Sequence, residues 1–198
     1  MLLGAAIIMP GNAVAAAGQL DSSFGKGGIF LAQNAGLTNT LAAAVAFDSQ
    51  GRILVAGQAP VSSGEQPAVV RLNSNGTLDT SFGNHGVASI DLKQGGGELA
   101  TCLAVQPSGK IVIGVSFGTA DFTTAVALAR FNQNGTVDTS FGNSGLVNIF
   151  IGGGETAYLV QQPDGRLLLG GGMLMARTTA DGILDTSFGQ NGEESRPV

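Results

Sequence analysis

Three arginine–aspartate pairs carry most of the chemistry that this sequence can offer. Arg71 and Asp79, Arg130 and Asp138, and Arg177 and Asp185 each stand eight residues apart across an Asn-Gly or Asp-Gly turn. A carboxylate held beside a guanidinium can hold a cation, orient a substrate or act as an acid or base. The same two groups can instead form a charge-assisted fork that fastens a strand to the turn after it. Recurrence separates these readings, because an active site occurs once per fold and a staple once per repeat. Here the pair occurs once in every full copy of a longer phrase, so a structural role is expected and no catalytic residue is assigned.

The remaining reactive side chains are few. His85, the single histidine, stands where the sister copies of the phrase carry Gly27, Ser144 and Asn191. A position that accepts those exchanges is a turn position. Cys102, the single cysteine, lies in the apolar run Leu99-Ala-Thr-Cys-Leu-Ala-Val105 and reads as a small buried hydrophobe. Zinc sites and histidine-dependent triads are therefore excluded. Asn73-Ser-Asn75-Gly76 and Asn132-Gln-Asn134-Gly135 resemble the opening of a calcium loop but lack its acids and closing glutamate, so they read as turns. The same turns explain the glycosylation-type triplets Asn75-Gly-Thr77 and Asn134-Gly-Thr136. Gly95-Gly-Gly97 and Gly152-Gly-Gly154 are not followed by Lys-Ser/Thr, so no phosphate loop is indicated. Glu98 and Glu155 follow these glycines in equivalent places, which again marks scaffold. No metal and no cofactor is expected.

The phrase itself organises the chain. Its best copy reads Arg71-Leu-Asn-Ser-Asn-Gly-Thr-Leu-Asp79-Thr-Ser-Phe82-Gly83-Asn-His-Gly86. It returns from Arg130 through Asp138, Phe141 and Gly142, and from Arg177 through Asp185, Phe188 and Gly189. Its latter half also occurs early, as Leu20-Asp21-Ser-Ser-Phe24-Gly25-Lys-Gly-Gly28. The aspartates Asp21, Asp79, Asp138 and Asp185 are separated by 58, 59 and 47 residues, a period that marks stacked supersecondary units. Phe24, Phe82, Phe141 and Phe188 are expected to plug the space between units, each worth about 1.5–3 kcal/mol if fully buried. Gly25, Gly83, Gly142 and Gly189 are expected to hold a backbone angle that other residues resist.

Between phrases, short apolar runs alternate with tight turns. The turns Asp48-Ser-Gln-Gly51, Gln106-Pro-Ser-Gly109 and Gln162-Pro-Asp-Gly165 join runs of four to seven residues. That is strand-and-hairpin spelling, and it holds even for the alanine-rich run Leu41-Ala-Ala-Ala-Val-Ala-Phe47. The middle runs scarcely alternate, so their strands are expected to be covered on both faces. An all-β fold of about three four-stranded antiparallel propeller-type blades follows. The repeat domain covers 18–198, with units at about 26–83, 84–142 and 143–189. The third unit is shorter, and its loss is expected in a loop that leaves the strands intact.

Glycine contributes 32 of 198 residues, apolar residues 43% and charged residues only 12%. Glycine-rich and apolar composition fits many tight turns around a real core. The net charge of −5 argues against nucleic acid, since no basic patch could neutralise several phosphates. Residues 1–17 form an apolar stretch ending in small residues, with Ala13-Val-Ala15 suiting a cleavage site. The stretch is too short to span a bilayer, and it reads as a signal peptide remnant even though no basic residue precedes it, an ordinary N-terminal strand being the alternative.

The phrase Arg-x-Asn-x-Asn-Gly-x-x-Asp-Thr-Ser-Phe-Gly, with Gln162-Pro-Asp-Gly-Arg-Leu-Leu-Leu-Gly170, resembles the bacterial delta-sixty repeat of secreted and surface proteins. The resemblance runs from Leu20 to about Gly192 and implies propeller blades of about sixty residues and an exported location. It implies no activity at particular residues. Three units are fewer than the four to eight blades of a closed propeller. The alternatives are an open arc, half of a six-bladed dimer, or a truncated fragment, the uncovered blade faces favouring self-association. The functional expectation is a non-enzymatic exported scaffold for a protein or glycan ligand. The rival is a glycan-acting hydrolase or lyase with its site in the propeller channel. Ligand specificity is expected where the units differ, in the loops 58–66 and 116–124 and in the short third unit.

Overall fold

Among the described residues the apolar runs form twelve strands in three four-stranded antiparallel sheets of sequential order. The structure, a computed structural model, describes residues 18–38, 40–61, 64–93, 97–118, 124–149, 157–171 and 174–195. The proposed signal, residues 1–17, lies outside the described residues. The first sheet holds β1 (Leu41–Phe47), β2 (Ile53–Val61), β3 (Gly64–Leu72) and β4 (Val87–Ser89). The second holds β5 (Leu99–Val105), β6 (Ile111–Gly118), β7 (Thr124–Phe131) and β8 (Leu146–Ile149). The third holds β9 (Ala157–Gln161), β10 (Leu167–Gly171), β11 (Leu174–Thr178) and β12 (Glu193–Ser195). The alanine-rich run is a strand because its seven residues pair antiparallel with β2. Gly51, Gly109 and Gly165 close the first hairpin of each sheet, each N–H bonded to the carbonyl three residues back.

The phrase sits between the third and fourth strands of each sheet. After β3 the chain turns through Asn73, Asp79 and Phe82, then returns so that β4 pairs with β3. Each sheet is therefore offset by one short strand from the sequence unit, because the segment after the phrase belongs to the sheet before it. The early half-phrase shows the reason. Its following segment makes only the isolated bridge Gly25↔Ile29 and then a 3-10 turn, Ala32–Ala35. Among the described residues it has no third strand to return to.

The sheets stack face to face in chain order. Residues that share a register row lie on one face, since side chains alternate along a strand. Leu54, Ala56, Val69 and Phe82 of the first sheet meet Ile111, Ile113, Val115 and Phe131 of the second in one core. Cys102, Val112, Leu128 and Phe141 of the second meet Leu167, Leu169 and Ala176 of the third in another. Each sheet thus has a rear face toward the preceding sheet and a forward face toward the next.

Two expectations are corrected. Cover on both faces holds for the second sheet, where β6 is buried along most of its length. In the outer sheets Val45 and Phe47 remain exposed on the rear of the first, and Tyr158, Val160 and Met175 on the front of the third. The short third unit loses paired residues as well as loop. β10 and β11 have five residues each, whereas β6 and β7 have eight. Gly170 and Gly171, the last residues of β10, pair with Met175 and Leu174 where the ladder ends, and glycine has little to hold a ladder together.

Candidate functional site: the stacked phrase

In every copy Arg Nε donates to Asp Oδ2: Arg71 to Asp79 at 2.8 Å, Arg130 to Asp138 at 2.7 Å, Arg177 to Asp185 at 2.9 Å. The arginine makes one bond to its aspartate rather than a fork, and in the first two full copies Nη1 reaches elsewhere. Arg71 Nη1 donates to the Gln133 carbonyl at 2.6 Å, and Arg130 Nη1 to the Ala180 carbonyl at 2.7 Å. Both acceptors lie three residues after the next arginine. The pair therefore joins consecutive repeats as well as strand to turn.

The phenylalanine is part of the same device. The guanidinium of Arg71 lies 4.3 Å from the Phe82 ring centroid, that of Arg130 4.6 Å from Phe141, and that of Arg177 4.7 Å from Phe188. Such stacking is worth roughly 0.5–2 kcal/mol, more when water is excluded. Phe82 and Phe141 are fully buried, with the next phrase's Gly135 and Gly182 against them. Phe24 lies in the same way against Gly76. The glycine after the ring has φ of 52–53° in all four copies, Gly25, Gly83, Gly142 and Gly189. A Cβ there would come within 2.3 Å of the carbonyl oxygen four residues on. Its N–H is the second inter-repeat donor: Gly25 to Asn75 O at 2.8 Å, Gly83 to Asn134 O at 2.8 Å, Gly142 to Asp181 O at 2.9 Å. Each phrase therefore stacks on the turn of the next.

The aspartate is held ionised. At Asp138, burial works against the charge. A 2.8 Å bond from Lys110 Nζ, the hydroxyl and amide of Ser140, and Arg130 outweigh it and hold the carboxyl far below the usual range. At Asp79, burial is likewise outweighed by Ser81 and Arg71. At Asp185 the Ser187 hydroxyl is the leading cause of a lowered value. Asp21 is lowered mainly by Ser23, which caps it without any arginine. Asp138 and Asp185, each accepting from four donors, have no free lone pair to offer a substrate or cation.

Three residues escaped the sequence reading. Arg52, Lys110 and Arg166, each following a turn glycine, bring a second cation to Asp79, Asp138 and Asp185 at 3.7, 2.8 and 2.9 Å. Their signal was a basic residue at the same place in every unit. The Asn-Gly turns spend their side chains locally, Asn75 Oδ1 accepting from Thr77 Oγ1 at 2.7 Å and Asn134 Oδ1 from Thr136 Oγ1 at 2.8 Å. His85, Ser144 and Asn191 adopt left-handed φ of 50–57°, as does Gly27 at 65°. Glu98 is buried, with its Oε2 accepting from the Leu92 amide. Glu155 lies outside the described residues.

Residues 49–82, 106–141 and 162–188, nearly half of the chain, match the family described as "Domain of unknown function (DUF5122) beta-propeller". Each match runs from the first hairpin turn through the phrase phenylalanine. The chain is a β-propeller repeat protein. No curated protein matches it. Its three sheets are accordingly blades, and the stacked phrases are the joints between them. Among the described residues no three His, Cys, Asp or Glu side chains gather into a metal site. No helix among them is long and apolar enough to cross a membrane.

Proposed function

We propose that this chain is an exported, non-enzymatic propeller scaffold of the delta-sixty type that binds a protein or glycan ligand. The observation that carries the reading is the use of the repeated charged residues of the first two full phrases in joints. Arg71, Arg130, Asp79 and Asp138 are consumed between blades, which leaves binding to surfaces where the blades differ. The hairpins β2–β3 and β6–β7 provide such a surface. Their strands run three to four residues further than those of β10–β11, about 10–13 Å at roughly 3.3 Å per residue. Their tips stand at the end of the sheet opposite the phrases, so they can vary without disturbing a joint. The decisive experiment is a glycan array and a surface-protein panel probed with the purified chain. Binding that persists without product release, and that is lost when 58–66 is replaced by a two-residue turn, supports the scaffold. Turnover of a bound glycan overturns it. Export is tested by fusing residues 1–17 to a reporter that is active only outside the cytoplasm.

A further inference from the structure

The joints between blades are directional, and the third blade presents a donor half without its acceptor. Arg71 and Arg130 are 4% and 2% exposed at the side chain, whereas Arg177 is 20% exposed. Among the described residues Arg177 Nη1 and the Gly189 N–H meet no acceptor, although their counterparts each bond a carbonyl of the next phrase. Gln162 shows the same gap from within the blade. Its counterpart Gln106 accepts from Arg130 Nη1 at 3.2 Å and donates to the Ala180 carbonyl at 3.1 Å. Gln162 Oε1 is buried and unpartnered. The forward face around these groups exposes Tyr158, Val160 and Met175, in the same register rows as Leu168 and Gly170.

The first blade presents the complementary half. The carbonyl of Ser74 is the counterpart of Gln133 O and Ala180 O, and among the described residues nothing donates to it. Residues 20–28 cover the neighbouring groups only in part. Gly25 N–H takes Asn75 O and Phe24 lies on Gly76, but the place eight before Asp21 is Ala13, so the half-phrase has no arginine to offer. On the rear face Val45 and Phe47 are exposed, where the corresponding Leu103 and Val105 of the second blade pack into the core. An apolar cleft of about 350 Å³ remains between Phe24 and Phe30 and the rear residues Ile53, Val55, Val70 and Leu72.

We propose that a second copy of this chain docks here head to tail. The third-blade phrase of one copy seats on the first-blade turn of its partner and displaces residues 20–28 from it. Arg177 Nη1 and Gln162 then reach the Ser74 carbonyl, and Gly189 N–H takes Asn75 O. Phe188 replaces Phe24 over Gly76, and the cleft has room for the larger side chains that the third blade carries where the second has Cys102 and Ala104. The incoming phrase brings an arginine that the displaced one lacks, which sets the direction of the exchange. The contact is heterologous, and two copies close a ring of six blades, within the four to eight that propellers use.

Sedimentation of the full chain over a range of concentrations tests this. The natural chain is expected to form a dimer. Tyr158→Glu on the forward face and Phe47→Glu on the rear face are each expected to weaken it by about tenfold or more. Both side chains are two-thirds exposed (68% and 67%), so the circular dichroism of each variant should match the natural chain, as should its melting at concentrations where the natural chain is monomeric. Mixing the two variants should restore a dimer, because each retains the face the other has lost, although one contact in place of two binds more weakly. Phe24→Ala should tighten the natural dimer. A monomer at every concentration overturns the proposal. So does a dimer sensitive to one face alone, or a failure of the mixture to associate. Unchanged or weaker association of Phe24→Ala overturns the displacement of residues 20–28.

Discussion

Replacing Asp138 by alanine tests the central claim, that the repeated pair is a joint and not a site. Asp138 Oδ2 accepts from Arg130 Nε at 2.7 Å and Lys110 Nζ at 2.8 Å, and Oδ1 accepts from the Ser140 amide and hydroxyl. Arg130 is almost wholly buried, so losing Asp138 leaves its charge with the exposed Asp181 carboxylate, 3.0 Å from Nη1, and with little water. Breaking a buried pair in this way costs about 3–5 kcal/mol. For a chain of this size about 2–4 °C of melting temperature corresponds to each kcal/mol, so a fall of roughly 6–20 °C is expected. Asp79→Ala should cost less, because its second cation, Arg52, stands 3.7 Å away. Asp185→Ala should cost least, since Arg177 and Arg166 keep access to solvent. The chain has no tryptophan and a single tyrosine, so melting is best followed by far-ultraviolet circular dichroism. Equal shifts at the three aspartates, or an unchanged melting temperature in Asp138→Ala, would refute the reasoning.

The other expectations concern backbone, protons and the thiol. Gly142→Ala should cost more than about 2 kcal/mol, since a left-handed φ of 52° is joined to a Cβ position 2.3 Å from the Leu146 carbonyl. Ser144→Val should cost about 1 kcal/mol or more while Ser144→Asn is close to neutral, because Ser144 sits at φ 54°, which asparagine tolerates and valine does not. Asp79 and Asp138 titrate lower folded than unfolded, so between those values the unfolded chain binds more protons and stability rises with pH. Their contribution is complete above the unfolded value of about 4 and is lost as pH falls through the folded value. Melting temperatures should therefore be flat from neutrality to about pH 5 and drop below about pH 4, with a smaller drop in Asp138→Asn. Burial pushes the Cys102 thiol up to about 11, so a thiol reagent at neutral pH should react only after denaturant is added.

The sheets were legible because their signals are local. β-branched and apolar runs between turn glycines spell strands, and the constant recurrence of Arg, Asp, Phe and Gly spells a repeat. The joint was legible only in part. The spacing of eight shows that Arg71 and Asp79 can meet, yet it cannot show that Nη1 of Arg71 reaches Gln133, 62 residues along the chain. The spacing of eleven from each arginine to its phenylalanine is equally constant, but stacking of guanidinium on ring depends on the path of the intervening turn. The shortening of the third blade was visible as missing residues. Whether loop or ladder absorbed the loss depended on where strand pairing ends, which residue-by-residue alignment of the units does not show. The left-handed position shared by Gly27, His85, Ser144 and Asn191 could have been inferred from its mixture of glycine, asparagine and small polar residues.

Three nearly equal phrases become unequal once stacked, and the inequality follows from the direction of the joint. Donors (the arginine Nη1 and the glycine N–H) always point to the next blade, and acceptors always lie on the turn that receives them. A phrase therefore reaches its full burial only when another follows it, as Phe82 and Phe141 do and Phe188 does not. Stability in such an array is a sum over blades and the contacts between neighbours. The middle blade, with both contacts made, should be the last to open, and hydrogen exchange should find its slowest amides in β6 and β7. A joint whose two halves differ also cannot be satisfied by bringing like against like. Any partner that completes the third blade must carry an acceptor turn, and any partner that completes the first must carry a donor phrase. That asymmetry separates head-to-tail assembly from a symmetric contact between two forward faces, which would place Arg177 of one copy against Arg177 of the other.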